Sequence, residues 1–234
     1  MSTVLLLRHG VTAETGSVLT GHTPGVHLSD KGVQQAQAAA ARMAVLPLAA
    51  IVTSPLDRCV DTAQAVVDAQ RAAGREPAWH VDDRLIEARY GKWTGRPMKD
   101  LVKEPMWAVV QQHPSAAVFP DGESMAEIAA RGVAAVREWD TDLGEKAIWV
   151  ACSHGDVIKA VLADALGLHL DQFQRIVVDP GSVSVVRYTK TRPFVLRTND
   201  TGGDLAPYLP PRTRRRRRGS DDAAVGGGAR GGRV

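Results

Sequence analysis

Apolar residues along the chain gather in a few short runs, each stopped by a polar or turn-forming residue. The first is Val4-Leu5-Leu6-Leu7, which ends on Arg8-His9-Gly10. A run this short cannot form a helix core. Continuous apolarity without alternation is the mark of a strand covered on both faces. Residues 49–53 and 147–152 repeat the pattern, and 79–82 is a shorter strand candidate. Residues 182–188 and 194–198 read as two further strands joined by a turn around Arg192-Pro193. The intervening segments have helical character. An Ala/Gln-rich stretch begins at Ser29 or Asp30 as N-cap and runs to Leu46. A second helix follows Ser54-Pro55 and stops near Gly74. Ser124 and Glu127 have capping-box spacing for a helix to about Trp139. A fourth helix runs from Gly155 to Leu166 and stops at Gly167. Residues 99–112 read as a helix broken near Pro105, and 84–95 as irregular. Residues 12–28 hold no period and form a long loop directly after the first strand, a length uncommon in a compact domain unless the loop is functional.

Composition adjusts this picture at one end. The 234 residues carry a net charge of +3, but from Arg212 onward there are eight arginines against two aspartates, which leaves −3 for the first 211 residues. The basic pI belongs to the tail, so overall basicity is no argument for nucleic-acid binding by the body. The expected organisation is one domain over residues 1–209, with a small cap insertion at about 96–127, and a disordered Arg/Gly-rich tail over 210–234. Only that tail offers a nucleic-acid contact, and a solvated tail without a specific partner is the simpler reading. Cys59 and Cys152 make no disulfide framework. No apolar stretch is long enough to span a bilayer. The expectation is a cytoplasmic protein with no membrane partner, a monomer or a homodimer.

Two strands end alike. The first stops at Arg8-His9-Gly10 and the one at 147–152 stops at Ser153-His154-Gly155. If these strands are parallel neighbours, both imidazoles stand at the carboxyl edge of the sheet, where open α/β folds bind ligands. A third strand end, Thr53-Ser54, leads to Arg58 in the first turn of its helix. His154 sits ahead of a helix whose free N–H groups favour an anion. Two arginines and two histidines from three strand ends make a cationic cup suited to phosphate.

With these motifs in place the chain resembles the histidine phosphatase superfamily, in its phosphoglycerate mutase-like branch. The resemblance rests on five ordered blocks. They are Leu7-Arg8-His9-Gly10-Val11-Thr12 with Thr20-Gly21, Ser29-Asp30-Lys31-Gly32, Ser54-Pro55-Leu56-Asp57-Arg58, Glu87-Ala88-Arg89-Tyr90-Gly91, and Ser153-His154-Gly155. It implies an α/β three-layer sandwich with a mostly parallel central sheet flanked by helices. It also implies His9 as nucleophile and Arg8, Arg58 and His154 as holders of the phosphoryl oxygens. Glu87 becomes the general acid and later base, and Thr12, Thr15, Thr20, Gly21 and Gly155 fall at the phosphate and substrate mouth. The partner is then a small phosphorylated metabolite. No metal and no cofactor is required.

The bland alternatives are a surface turn in which Glu87 pairs with Arg89, a helix-surface Arg58, and a packing role for Trp93. His22, His27, His80, His113 and His169 match no ligand spacing and read as ordinary loop or surface histidines. The mutase members of the family carry adjacent arginines after the general acid. Here residues 95–127 contain no Arg-Arg pair, and Pro120-Asp121-Gly122-Glu123-Ser124 resembles the phosphatase pattern. Lys99 and Lys103 could still supply positive charge, and Met98, Met106, Trp107 and Phe119 an apolar rim. The expected activity is therefore hydrolysis of a small phosphate monoester, with mutase-type transfer and phosphate binding without turnover as the alternatives.

Overall fold

The computed structural model describes residues 2–202. The expected tail at 210–234 lies outside them. The chain begins with β1 (Ser2–Arg8), then α1 (Asp30–Met43), β2 (Ala50–Thr53), α2 (Asp57–Ala72) and β3 (Ala78–Val81). Two short helices, α3 (Met98–Leu101) and α4 (Pro105–Gln112), precede α5 (Met125–Leu143), β4 (Ile148–Ser153), α6 (Gly155–Ala165), β5 (Val183–Tyr188) and β6 (Pro193–Asp200). Short 3₁₀ turns at Asp83–Leu85, Gly91–Trp93 and Leu170–Arg175 lie between these elements, with a fourth at Pro114–Ala116. The first two occupy the stretch read as irregular, and the third has no apolar period to announce it.

The six strands form one sheet in the order β3-β2-β4-β1-β5-β6. β3, β2, β4 and β1 are mutually parallel, β5 runs antiparallel to β1, and β6 antiparallel to β5. The mostly parallel α/β sheet expected from the sequence is present. Its apolar runs are continuous because both faces are covered. Val4, Leu6, Val52 and Trp149 point into a core shared with α5 and α6. Leu5, Leu7, Ile51 and Val150 point into a second core containing Met43, Leu46, Ala63 and Val66 from the α1 and α2 side. Successive strand side chains alternate between faces, so the first run feeds both layers.

Side-chain caps start two of the helices, α1 and α5. The Ser29 hydroxyl accepts from Gly32 N–H at the start of α1. Ser124 and Glu127 form the full capping box of α5, as their spacing predicts. That helix runs past Trp139 to Leu143, because its C-terminal Gly144 (φ 79°) provides the stop. Helix α2 begins at Asp57, later than the Ser54-Pro55 signal, since Leu56 is still extended. Both cysteines are free and buried.

Candidate active site

The parallel pairing of β1 and β4 sets Arg8 opposite Ser153. His9 N–H then donates to the Ser153 carbonyl at 3.1 Å, and Ser54 N–H to the Cys152 carbonyl at 3.0 Å. Three strand ends thus finish level, and the segments leaving them converge. The His9 and His154 rings meet edge to face with centroids 5.1 Å apart. A cavity of about 430 Å³ opens above them, lined at its floor by Arg8, His9, Arg58, Glu87 and Gly155.

Gly10 has no left-handed backbone, so its need is steric and not a sharp turn. A Cβ there would lie 2.5 Å from the Gly32 carbonyl, and one on Gly32 would lie 2.0 Å from the Val11 carbonyl. The two glycines let the β1 exit press against the start of α1. This contact leaves Gly10 O beside the preceding imidazole. His9 Nδ1 lies 2.7 Å from it. A carbonyl only accepts, so Nδ1 carries the proton and the Nε2 lone pair is left for the cavity. Burial, with Arg58 and Arg8 adding to it, lowers the His9 pKa to about 3. The ring is neutral at any ordinary pH.

The arginines are held but not exhausted. Arg58 is 2% exposed, which removes the helix-surface reading. Its Nη2 donates to the Gly21 carbonyl at 2.8 Å, while Nη1 has no protein partner. Arg8 Nη1 donates to the Val178 carbonyl at 2.5 Å, and its buried Nε has no partner. A Cβ on Gly155 would come within 3.4 Å of the Arg8 guanidinium carbon, so glycine leaves that fork room at the start of α6. Buried donors without partners are costly, and both arginines line the cavity.

His154 is the one expected substrate contact outside the cavity lining. It is fully buried behind His9, with Nε2 2.8 Å from Ser54 Oγ and Nδ1 3.9 Å from Glu87 Oε2. Burial, then the neighbouring cationic and imidazole groups, pulls its pKa well below the usual value. Thr12, Thr15, Thr20 and Gly21 all line the cavity. Thr15 Oγ1 accepts from Thr12 N–H at 2.8 Å, so these two threonines also brace their own loop.

Glu87 retains 12% exposure. Its Oε1 accepts from Ala88 N–H at 2.9 Å. Burial first and the Asp156 charge second raise its pKa to about 7. Asp156 lines the same cavity and accepts from the Tyr90 hydroxyl at 2.8 Å. Glu87 does not pair with Arg89, whose backbone N–H instead donates to Glu123 Oε2 at 2.8 Å.

Two residues that hold Glu87 carried no usable signal in the sequence. His22, read as an ordinary loop histidine, donates from Nε2 to the Glu87 carbonyl at 2.6 Å. Arg131, on the helix α5, donates to the carbonyls of Arg84, Ile86 and Glu87 and pairs with Glu123. The turn at 119–124 docks on this loop through glycines. A Cβ on Gly122 would lie 2.2 Å from the Arg89 carbonyl, and one on Gly91 2.0 Å from that of Pro120.

The upper cavity wall includes Met98, Trp107, Val110 and Phe119, with Trp93 stacked on Trp107. Trp93 both packs and lines. Lys99, Lys103 and Met106 are not part of the lining. Among the described residues no helix is long and apolar enough to cross a membrane.

A neutral imidazole and two arginines with unpartnered N–H groups thus stand together at the carboxyl edge of an α/β sheet. Residues 4–201 match the histidine phosphatase superfamily (branch 1). The chain belongs to that superfamily. It is 32% identical to a glucosyl-3-phosphoglycerate phosphatase of Mycolicibacterium vanbaalenii, over 73% of this chain and 76% of that one. It is 30% identical to a probable phosphoglycerate mutase of Yersinia enterocolitica, over 82% and 87%. Among solved structures, Bacillus stearothermophilus YhfR superposes with a TM-score of 0.77 at 25% identity, covering 86% of this chain and 98% of that one.

Proposed function

We propose that the chain hydrolyses a small phosphate monoester through a phosphohistidine at His9, with no metal required. The observation that carries this reading is the His9 ring itself. It is neutral, its Nδ1 proton is held by the Gly10 carbonyl, and its Nε2 faces the cavity between two arginines with N–H groups to spare.

The lone pair on Nε2 attacks phosphorus while the ester P–O bond breaks. Glu87, protonated near neutral pH, gives its proton to the departing oxygen. The Glu87 carboxylate then takes a proton from water, whose oxygen attacks phosphorus as the P–N bond breaks. Covalent capture splits one difficult displacement into two easier ones. Arg8, Arg58 and the first N–H groups of α6 stabilise the spread negative charge on the phosphoryl oxygens. His154 acts from behind. With the Ser54 hydroxyl donating to its Nε2, its Nδ1–H is available to the Glu87 carboxylate or to a phosphoryl oxygen. Residues 96–127 form a cap that limits water and sets substrate choice. The apolar cap wall has no arginine to grip a second phosphate, which supports transfer to water over transfer to a bound acid.

The test is p-nitrophenyl phosphate hydrolysis from pH 4 to 9 with and without chelator, in the wild type and in His9→Ala. Turnover that survives chelation and falls by about 10³-fold or more in His9→Ala, with an acid-labile phosphoenzyme in the wild type, is the expected result. Full activity in His9→Ala, or loss on chelation, overturns the reading. Interconversion of 2- and 3-phosphoglycerate outpacing hydrolysis assigns a mutase.

A further inference from the structure

The cavity extends past the phosphoryl cradle, and its far part holds one more cation. Lys159 lies on α6 four residues after Gly155. That is one turn, about 6 Å along the axis, on the same helix face. Its Nζ donates to Gln174 Oε1 at 3.0 Å and sits 5.4 Å from the Phe173 ring centroid. Both neighbours are neutral. Gln174 in turn donates from Nε2 to the Val110 carbonyl at 3.4 Å, so the ammonium is held where α4 meets the body of the domain. The acidic residue one turn before it, Asp156, is engaged by the Tyr90 hydroxyl, and the described residues place no carboxylate in salt-bridge contact with Lys159.

An ammonium has three donors, and here one is used. Of the three cations lining the cavity, Arg8 and Arg58 face the phosphoryl group at the floor. Lys159 takes no part in the chemistry at His9 and Glu87. A partly buried cation with no carboxylate in salt-bridge contact, on a wall that also holds Met98, Trp107, Val110, Gln111, Asp156 and Ile176, is a site for an anion on the organic part of the substrate. Lysine's flexible four-carbon stem lets it meet a carboxylate set a short carbon chain away from the ester oxygen.

We propose that Lys159, steadied by Gln174, binds a substrate carboxylate, so that the preferred substrates are phosphate monoesters bearing a carboxylate about one helical turn from phosphorus. The proposal rests on the phosphatase reading and adds the leaving-group chemistry to it. Gln174 is a positioning residue in this scheme.

The experiment compares kcat/KM for 3-phosphoglycerate and glycerol 3-phosphate, which differ only by a carboxylate in place of a hydroxymethyl group. The full-length wild type, Lys159→Gln and Lys159→Arg are measured. The ratio of the two constants within one protein is independent of the fraction folded. The wild type is expected to favour the carboxylate ester by about tenfold or more, the size of a charge-assisted hydrogen bond. Lys159→Gln brings the ratio to about one, and Lys159→Arg keeps most of it. A wild-type ratio near one, or an unchanged ratio in Lys159→Gln, overturns the proposal while leaving the phosphatase reading intact. Failure of the wild type to hydrolyse either ester or p-nitrophenyl phosphate overturns the phosphatase reading, and this proposal with it.

Discussion

At the scale of single residues, the site works by setting protonation states in opposite directions. Burial beside two arginines keeps His9 unprotonated, with a pKa of about 3, whereas burial beside Asp156 keeps Glu87 protonated up to about 7. In the proposed mechanism, nucleophile and acid are therefore both in the working form between these values. The free enzyme's kcat/KM is expected to be level on the acid side of neutrality and to fall as pH rises through about 7, when Glu87 loses its proton. Removing the Asp156 charge removes one cause of the raised pKa. Asp156→Asn is expected to move that alkaline limb to lower pH, and a kcat/KM–pH profile reads it directly. A limb that does not move separates Asp156 from Glu87. The Asp156 position illustrates how little of this is visible in sequence. It follows the Ser153-His154-Gly155 motif, but its effect on Glu87 exists only because Tyr90 and α6 bring the two carboxyls into one cavity.

At the scale of elements, the level ends of β1, β4 and β2 account for the cup, and the docking of the 119–124 turn accounts for Glu87. Arg131 ties the carbonyls of Arg84, Ile86 and Glu87 to α5, and Glu123 completes the clamp. Arg131 touches no reacting atom. Arg131→Met is expected to lower kcat by about 10- to 100-fold through a misplaced acid, with a smaller change in KM, and steady-state kinetics on a folded variant checks it. The glycine contacts set a second expectation. Gly122→Ala forces a methyl group against the Arg89 carbonyl, and overpacking of that kind costs about 1–3 kcal/mol. Thermal unfolding is expected to shift down, and an unchanged Tm places the turn elsewhere in solution. The sequence motif Pro120-Asp121-Gly122-Glu123-Ser124 was legible as a family-like loop and as the start of α5. Its role as a clamp was not, because the partner Arg131 lies eight residues further on, on a helix face indistinguishable by period from a solvated one.

For the whole molecule, the same buried groups link the site to stability. His9 and His154 have folded pKa values below the unfolded value, so the unfolded chain binds more protons as pH falls below about 6.5. Their contribution is present above that pH and is lost on acidification. Glu87 is shifted the other way, and its contribution is present below about 4.5 and lost as pH rises through about 7. Two histidines outweigh one carboxyl in the interval where they oppose. Tm is thus expected to fall from pH 6.5 to 4.5, with a shallower slope in His9→Gln. All cradle residues lie between positions 8 and 155 and the described lining ends at Val178. A chain cut after Pro210 is accordingly expected to keep kcat/KM within about twofold, below the smallest tenfold step that 1.4 kcal/mol represents. Measured nucleic-acid binding by the intact chain that vanishes on this truncation would assign the tail its own role.

The sequence by itself determined the element order, the buried parallel strands and the residues of the cup. Those properties are local, since a four-residue apolar run, a Ser-x-x-Glu cap and a histidine–glycine strand end act through their own neighbours in the chain. Tertiary structure alone decided that β1 and β4 pair in a register that levels two histidines. It also decided that His22 and Arg131 hold Glu87, and that Lys159 faces a cavity and not solvent. These depend on which surfaces meet between segments that are not neighbours in the chain, and no periodicity in a single sequence encodes such a meeting.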